Sequence, residues 1–335
     1  MRQLWWLFGI VAVSLAILGG GFWSDYRRSM DSPLKNAETV YFEITKGQSL
    51  KHIAEDLQAR GWLDRPYWFR LMAWAEHAAK QIKFGEYEIP VNTTPRQLLG
   101  LFVSGKVRHY SLTFVEGWTF KQMVDALSRQ PILVHQLDGK SPDEIMGMIG
   151  ATGEAAEGRF YPDTYFFTKG IADLELLRQA YRKMQKVLAD EWQSKAQGLP
   201  LHNPYEALIL ASIVEKETGL AEERNKIAGV FSRRLAKGML LQTDPTVIYG
   251  MGDAYQGNIR KEDLLRDTPF NTYTRRGLPP TPIAMPGIDA IHATLHPDSG
   301  DSLYFVARGG GAHVFSSTLA EHNKAVNEFQ RHHHE

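Results

Sequence analysis

The chain opens on an unbroken apolar run, Leu4 to Trp23, which is about long enough to cross a bilayer as a helix. Trp5, Trp6 and Trp23 stand at its ends, where amphipathic rings favour the membrane–water interface. Residues Ser24 to Ala37 lose the hydrophobic period, carry Pro33 and read as a tether. From Thr39 the pattern changes. Tyr41-Phe42-Glu43-Ile44 predicts a strand and Lys46-Gly47-Gln48 a turn. Ser49 then caps a helix that places Leu50, Ile53, Ala54 and Leu57 on one face and stops at Gly61. A second helix, over 66–79, carries Trp68, Leu71, Met72 and Ala75, and Phe84 to Ile89 returns as a strand. This stretch therefore reads strand, helix, helix, strand. A helix from Thr94-Pro95 follows, with Leu98, Leu99 and Phe102 as its stripe, and then a strand at Leu112 to Val115 and a helix after Trp118.

Between Gln130 and Gly158 glycines and charges interrupt any period, and no element is assigned. Three helices are then predicted: a long amphipathic one from Asp173 to Gln197, one apolar on nearly every side from Pro204 to Thr218, and an amphipathic one from Ala221 to Ala236. Gly219 and Gly238 supply the stops. Beyond Leu240 the chain turns to proline, glycine and short aromatic strands, Leu303 to Val306 and His313 to Phe315. The expected class is α+β, in seven segments: a short N-terminus (1–3), a transmembrane helix (4–23), a linker (24–38), a small α/β domain (39–110), a connecting region (111–156), a larger mixed domain with a helical half and a short-stranded, loop-rich half (157–330), and a tail (331–335).

Charge and composition narrow the partners. Lysine plus arginine (38) equals aspartate plus glutamate (38), so no field draws in nucleic acid. The absence of cysteine excludes disulfides, thiolate chemistry and cysteine-ligated zinc. His292, His296, His313 and His322 show no metal-like spacing, and neither metal nor cofactor is expected. The apolar run fits an anchor, while Gly19, Gly20 and Gly21 leave a cleaved leader as the alternative. Arg2 on one side and Arg27 and Arg28, offset by Asp25 and Asp31, on the other do not decide orientation. The short leading flank makes a cytoplasmic N-terminus with the bulk of the chain outside the simplest topology.

The chemistry concentrates in Ala207 to Thr218, an all-round apolar helix that ends on two glutamates. A buried carboxylate needs a reason. On a helix Glu215 stacks over Ala211 and Ser212, whereas Glu217 stacks over Ile213 and Val214. Apolar neighbours and the negative end of the helix dipole both disfavour an ionised Glu217, giving it the raised pKa of a general acid. The bland alternative makes Glu217 a structural partner of Lys216 or Arg224, and Glu215 remains a second candidate. Gln242 to Gly250 reads as a polar loop locked by Pro245, and Phe270 to Thr274 with Gly277-Leu278-Pro279-Pro280 has the same character. Both offer the amide, hydroxyl and ring groups that suit a sugar, although Asp244 before Pro245 also fits a simple turn.

Several segments resemble the endolytic murein lytic transglycosylases, the YceG-like family, over about Thr39 to Asn323. They are Lys46-Gly-Gln-Ser-Leu50, Phe84-Gly-Glu-Tyr87, Val115-Glu-Gly-Trp118, Glu157 to Tyr165, Ala211-Ser-Ile-Val-Glu-Lys-Glu-Thr218, Glu223-Arg224, Leu241 to Gly250, Asn271-Thr-Tyr-Thr274 with Gly277-Leu-Pro-Pro280, and His313 through Asn323. The resemblance implies a single-pass inner-membrane protein with its bulk in the periplasm, a LysM-like small domain, and a catalytic domain that cuts nascent peptidoglycan glycan strands and ends their elongation. It assigns the catalytic role to the second glutamate of Glu-Lys-Glu-Thr, Glu217. Gln242, Asp244, Tyr249, Asn271 and Tyr273 are the candidates for holding sugars. The partners implied are glycan strands and the inner membrane, with peptidoglycan synthases or division proteins as further candidates. Arg233, Phe270, Thr281 and Met285 depart from the family pattern, and none of them touches Glu217 in sequence. A lysozyme-type hydrolase using Glu217 with Asp244, and a non-enzymatic glycan-binding scaffold, are the competing readings.

Overall fold

The computed structural model describes residues 2–331; Met1 and residues 332–335 of the expected tail lie outside them. The chain divides into two compact units, one of residues 1–110 with 166–171, the other of 111–165 with 172–335.

The first unit begins with α1 (Arg2–Asp31), the one helix among the described residues long and apolar enough to cross a membrane. It does not stop where the hydrophobic run ends. The stretch read as a tether stays helical to Asp31, because its polar side chains find partners: Asp25 accepts from Trp68 Nε1 at 3.0 Å and pairs with Arg65, and Met30 is fully buried. Then come β1 (Val40–Ile44), α2 (Leu50–Ala59), α3 (Pro66–Ala75), β2 (Gly85–Ile89) and α4 (Pro95–Ser104). Ser49 caps α2 by accepting from His52 N, and Thr94 and Gln97 form a reciprocal cap on α4 with Pro95 in its first turn. Strands β1 and β2 pair antiparallel with Phe42 opposite Tyr87. Both rings point into a core with Phe69, Met72, Leu98 and Phe102.

Strand β3 (His109–Thr113) pairs with β4 (Thr164–Thr168). Between them lie α5 (Phe120–Ser128) and α6 (Pro142–Ile149). Helix α6 falls where no element was assigned, yet its start is coded locally: Ser141 and Glu144 cap each other and Pro142 fills the first turn. In the second unit α7 (Asp173–Ser194), α8 (Pro204–Glu217), α9 (Ala221–Ala236) and α12 (Ile288–Leu295) share one core, with α10 (Asp244–Met251) and α11 (Lys261–Leu265) between α9 and α12. Helix α8 is central: Ala207 to Val214 are all buried, which accounts for its nearly uniform apolarity. Strands β5 (Tyr304–Gly309) and β6 (Ala312–Ser316) form an antiparallel pair, and α13 (Leu319–Val326) follows. The result is a mixed α+β protein with small two-stranded sheets.

Candidate active site

Glu217 is the last residue of α8. The helix is ended by Thr218, whose extended backbone (φ −146°, ψ 138°) turns the chain away, so Gly219 is not the left-handed stop the sequence suggests. Gly238, at φ +62°, does have that conformation. Ending α8 at this point leaves Glu217 at the rim of the core, partly buried, on the wall of a cleft of about 520 Å³. Gln242, Asp244, Tyr273, Arg234, Tyr304 and His313 line the same cleft.

The neighbours of Glu217 set its protonation. Burial pushes the carboxyl up to about 7, the hydroxyl of Thr243 draws it back by donating to Oε1, the negative charge of Asp244 pushes it further up, and His313 opposes that. Neither suggested structural partner holds Glu217. Lys216 Nζ donates to Gly117 O at 3.3 Å, and Arg224 pairs with Asp289 at 2.9 Å. Glu215 has another task. It accepts the Gly287 N–H at 3.0 Å at the start of α12, and burial raises its pKa against that hydrogen bond. A Cβ at Gly287 would lie 1.9 Å from a carboxylate oxygen of Glu116, so any side chain there would displace that carboxylate.

The segment read as a polar loop is helical from Asp244, with Pro245 in the first turn. That change divides its residues. At about 100° per residue Asp244 and Tyr249 face directions about 140° apart. Asp244 opens to the Glu217 cleft and accepts from Tyr273 OH at 2.5 Å. Tyr249 instead donates to Glu157 at 3.1 Å, packs on Phe270 at 4.9 Å between ring centroids, and lines a second cavity of about 560 Å³ with Phe120 and Thr281. Asn271 reaches neither cavity. It is 1% exposed, and its amide donates to the carbonyls of Asp263, Leu264 and Arg266 at 3.3, 3.0 and 2.7 Å while its oxygen accepts from Tyr273 N at 2.8 Å. Its role is to fold the loop that presents Tyr273. Of the five expected sugar contacts, Gln242, Asp244 and Tyr273 therefore share the cleft with Glu217, whereas Tyr249 and Asn271 do not.

Gln242 is held at φ +51°, a left-handed conformation costly for a residue with a Cβ. Its N–H is fixed to Thr272 O at 3.1 Å, and Arg234 Nη1 lies 3.5 Å from its side-chain oxygen. Thr243 N donates to Thr272 Oγ1 at 3.1 Å, and Thr246 Oγ1 bonds the same hydroxyl at 2.8 Å, so a threonine cluster positions the donor to Glu217.

Three contributors escaped the sequence reading. Thr243 looked like one hydroxyl in a polar loop. Arg234 is buried and donates to Leu303 O at 2.7 Å and Leu241 O at 2.9 Å, closing the cleft's floor. His313 is clamped by Glu223, with Nδ1 2.7 Å from one carboxylate oxygen and its backbone N donating to the other at 3.0 Å. Glu223 and His313 lie in separate matched segments, but nothing in their spacing indicates contact. Glu157 is a second carboxyl raised to about 7 by burial, held by Phe120 N at 3.0 Å as well as by Tyr249.

Chemically, the cleft presents a carboxyl whose pKa burial raises to about 7, beside an aspartate, a tyrosine and a histidine. Comparison with known proteins places this arrangement in context. The YceG-like family model matches residues 42–328. The endolytic murein transglycosylase of Bacillus subtilis (strain 168) is 30% identical over 332 residues, spanning 93% of this chain and 91% of that protein. The endolytic murein transglycosylase of Streptococcus pneumoniae serotype 2 is 27% identical over 354 residues; the match takes in 94% of this chain but 64% of that longer protein. A crystal structure of a yceG-like protein from Listeria monocytogenes superposes with a TM-score of 0.55 at 30% identity, covering 87% of this chain and all of that one. With the family pattern running from the first strand to the final helix, the chain belongs to the YceG-like family.

Proposed function

We propose that this protein is an endolytic peptidoglycan lytic transglycosylase that cleaves the bond between N-acetylmuramic acid and N-acetylglucosamine within glycan strands. The observation that carries the proposal is the Glu217 carboxyl, raised to about 7 by burial and facing a polar, aromatic-lined cleft. The names of the Bacillus and Streptococcus relatives support the same reading.

Glu217 gives its proton to the glycosidic oxygen, the bond from that oxygen to the muramyl C1 breaks, and positive charge develops at C1. The ionised Glu217 then takes the proton from the muramyl 6-hydroxyl as that oxygen attacks C1. A 1,6-anhydro end forms, Glu217 is protonated again, and no water is consumed. Because the nucleophile belongs to the substrate, its effective concentration is high and one protein carboxyl suffices. Thr243 steadies the carboxylate that exists between the two transfers, while Gln242, Asp244 and Tyr273 orient the sugars.

The small unit, with its strand-helix-helix-strand order, acts as a LysM-like glycan-binding module, and α1 anchors the protein in the inner membrane with its bulk in the periplasm. Synthases or division proteins are the partners such an anchored enzyme would meet. Digestion of uncrosslinked glycan strands by the purified protein, with products weighed by mass spectrometry, tests this reading. Anhydro ends are expected from the native protein, and Glu217→Gln lowers turnover by at least about 10² while strand binding persists. Reducing ends carrying one added water would instead indicate a hydrolase using Asp244. Retained turnover in Glu217→Gln would remove the assignment altogether.

A further inference from the structure

Away from the cleft, the C-terminal turns of α7 and α12 bring Glu191, His292 and His296 together, with one ligand atom from each within 4.8 Å of the others. We propose that these three side chains form a divalent-cation site, a set of two histidines and one carboxylate that suits a zinc ion, which ties α7 to α12 beside α8. The donors are two imidazole nitrogens and a carboxylate oxygen, and the exposed position of His292 leaves room for water as a fourth ligand.

Three features of the geometry support this. His292, in the last turn of α12, and His296, which follows its last residue, have their rings stacked, centroids 4.2 Å apart. His296 Nε2 lies 2.7 Å from Ser194 O, an arrangement in which a coordinating histidine donates its other N–H to a carbonyl and so fixes its tautomer. Nδ1, 3.1 Å from His292 O, is then the ring nitrogen left to coordinate. His292 Nδ1 and Glu191 Oε2 stand 2.8 Å apart around a shared proton. Donors of a tetrahedral zinc ion sit about 3.3 Å apart, so a shift of about half an ångström lets the ion replace that proton.

The backbone adds to the field. Two helix C-termini converge here, Ser194 ending α7 and Leu295 ending α12, and the negative ends of both dipoles favour a cation. Ala196 N donates to Leu295 O at 2.9 Å, which fixes the two ends relative to each other before any ion binds. Glu191 lies on a different helix, so the four-residue spacing of the two histidines does not by itself reveal the third ligand.

The test is zinc titration of the full chain in detergent by calorimetry, paired with melting curves. His332, His333 and His334 are changed to Asn in every sample, so that the terminal histidines contribute nothing. One equivalent of zinc is expected to bind with a dissociation constant on the order of micromolar or tighter and to raise the melting temperature. His292→Ala and Glu191→Gln, each with a metal-free melting curve to establish folding, should weaken binding by at least about tenfold and abolish the zinc-dependent rise. Binding of equal strength in parent and variants, or no stoichiometric binding in the parent, would overturn the site.

Discussion

Replacing Thr243 by valine removes one hydroxyl and little else. Thr243 Oγ1 donates to Glu217 Oε1, the one side-chain hydrogen bond that this carboxyl accepts among the described residues. The loop survives the change, since Thr243 N still bonds Thr272 Oγ1 at 3.1 Å and Thr246 still bonds Thr272. A hydrogen bond to a charged acceptor is worth about 1.5–3 kcal/mol, against about 0.5–1.5 for a neutral one. Thr243 therefore favours ionised over neutral Glu217 by about 1.4 kcal/mol, or about one pKa unit. Without it, the Glu217 pKa moves up from about 7 by about one unit. In the proposed mechanism the protonated form begins the reaction, so kcat/KM is expected to fall as pH rises through that pKa. In Thr243→Val the alkaline limb should lie about one unit higher than in the native enzyme. The assay is release of anhydro ends from soluble glycan from about pH 5 to about pH 9, two units either side of the Glu217 pKa. An alkaline limb that stays in place or moves to lower pH refutes the link between this hydrogen bond and the catalytic proton.

Two further expectations concern stability. Folding raises the Glu217 pKa from its ordinary 4.5 to about 7, so the folded state holds a proton that the unfolded state has lost, and stability falls as pH climbs between those values. Glu217→Gln removes that loss. By urea denaturation the variant should match the native protein at acid pH and exceed it by up to about 3 kcal/mol at alkaline pH, and a gap independent of pH would contradict the burial. Asn271→Ala leaves three carbonyls without their shared donor and should cost about 2–4 kcal/mol, read as a lowered melting temperature; unchanged melting with a raised KM would instead put the amide on the substrate.

Local chemistry in the sequence determined the helices and strands whose signals are self-contained. Ser49 and Thr94 cap helices through their own side chains, Phe42 and Tyr87 alternate inward, and α8 is apolar all round because it is buried all round. Glu217 was legible for the same reason: its apolar helical neighbours are contiguous in sequence, and burial follows from them. The start of α6 was equally local, in Ser141, Pro142 and Glu144, but the glycines around it masked the period.

What only the tertiary structure decided are the partners that distant segments bring together. Asp25 holds Trp68 and Arg65, and so keeps helical a stretch with no hydrophobic period of its own. The turn of α10 that separates Asp244 from Tyr249, the capture of Asn271 by three carbonyls, and the clamping of His313 by Glu223 also depend on contacts across the fold. Hydrophobic periodicity records which face of an element is covered. It carries no record of which polar atom from elsewhere in the chain will meet a given donor, and the cleft around Glu217 is built from such meetings.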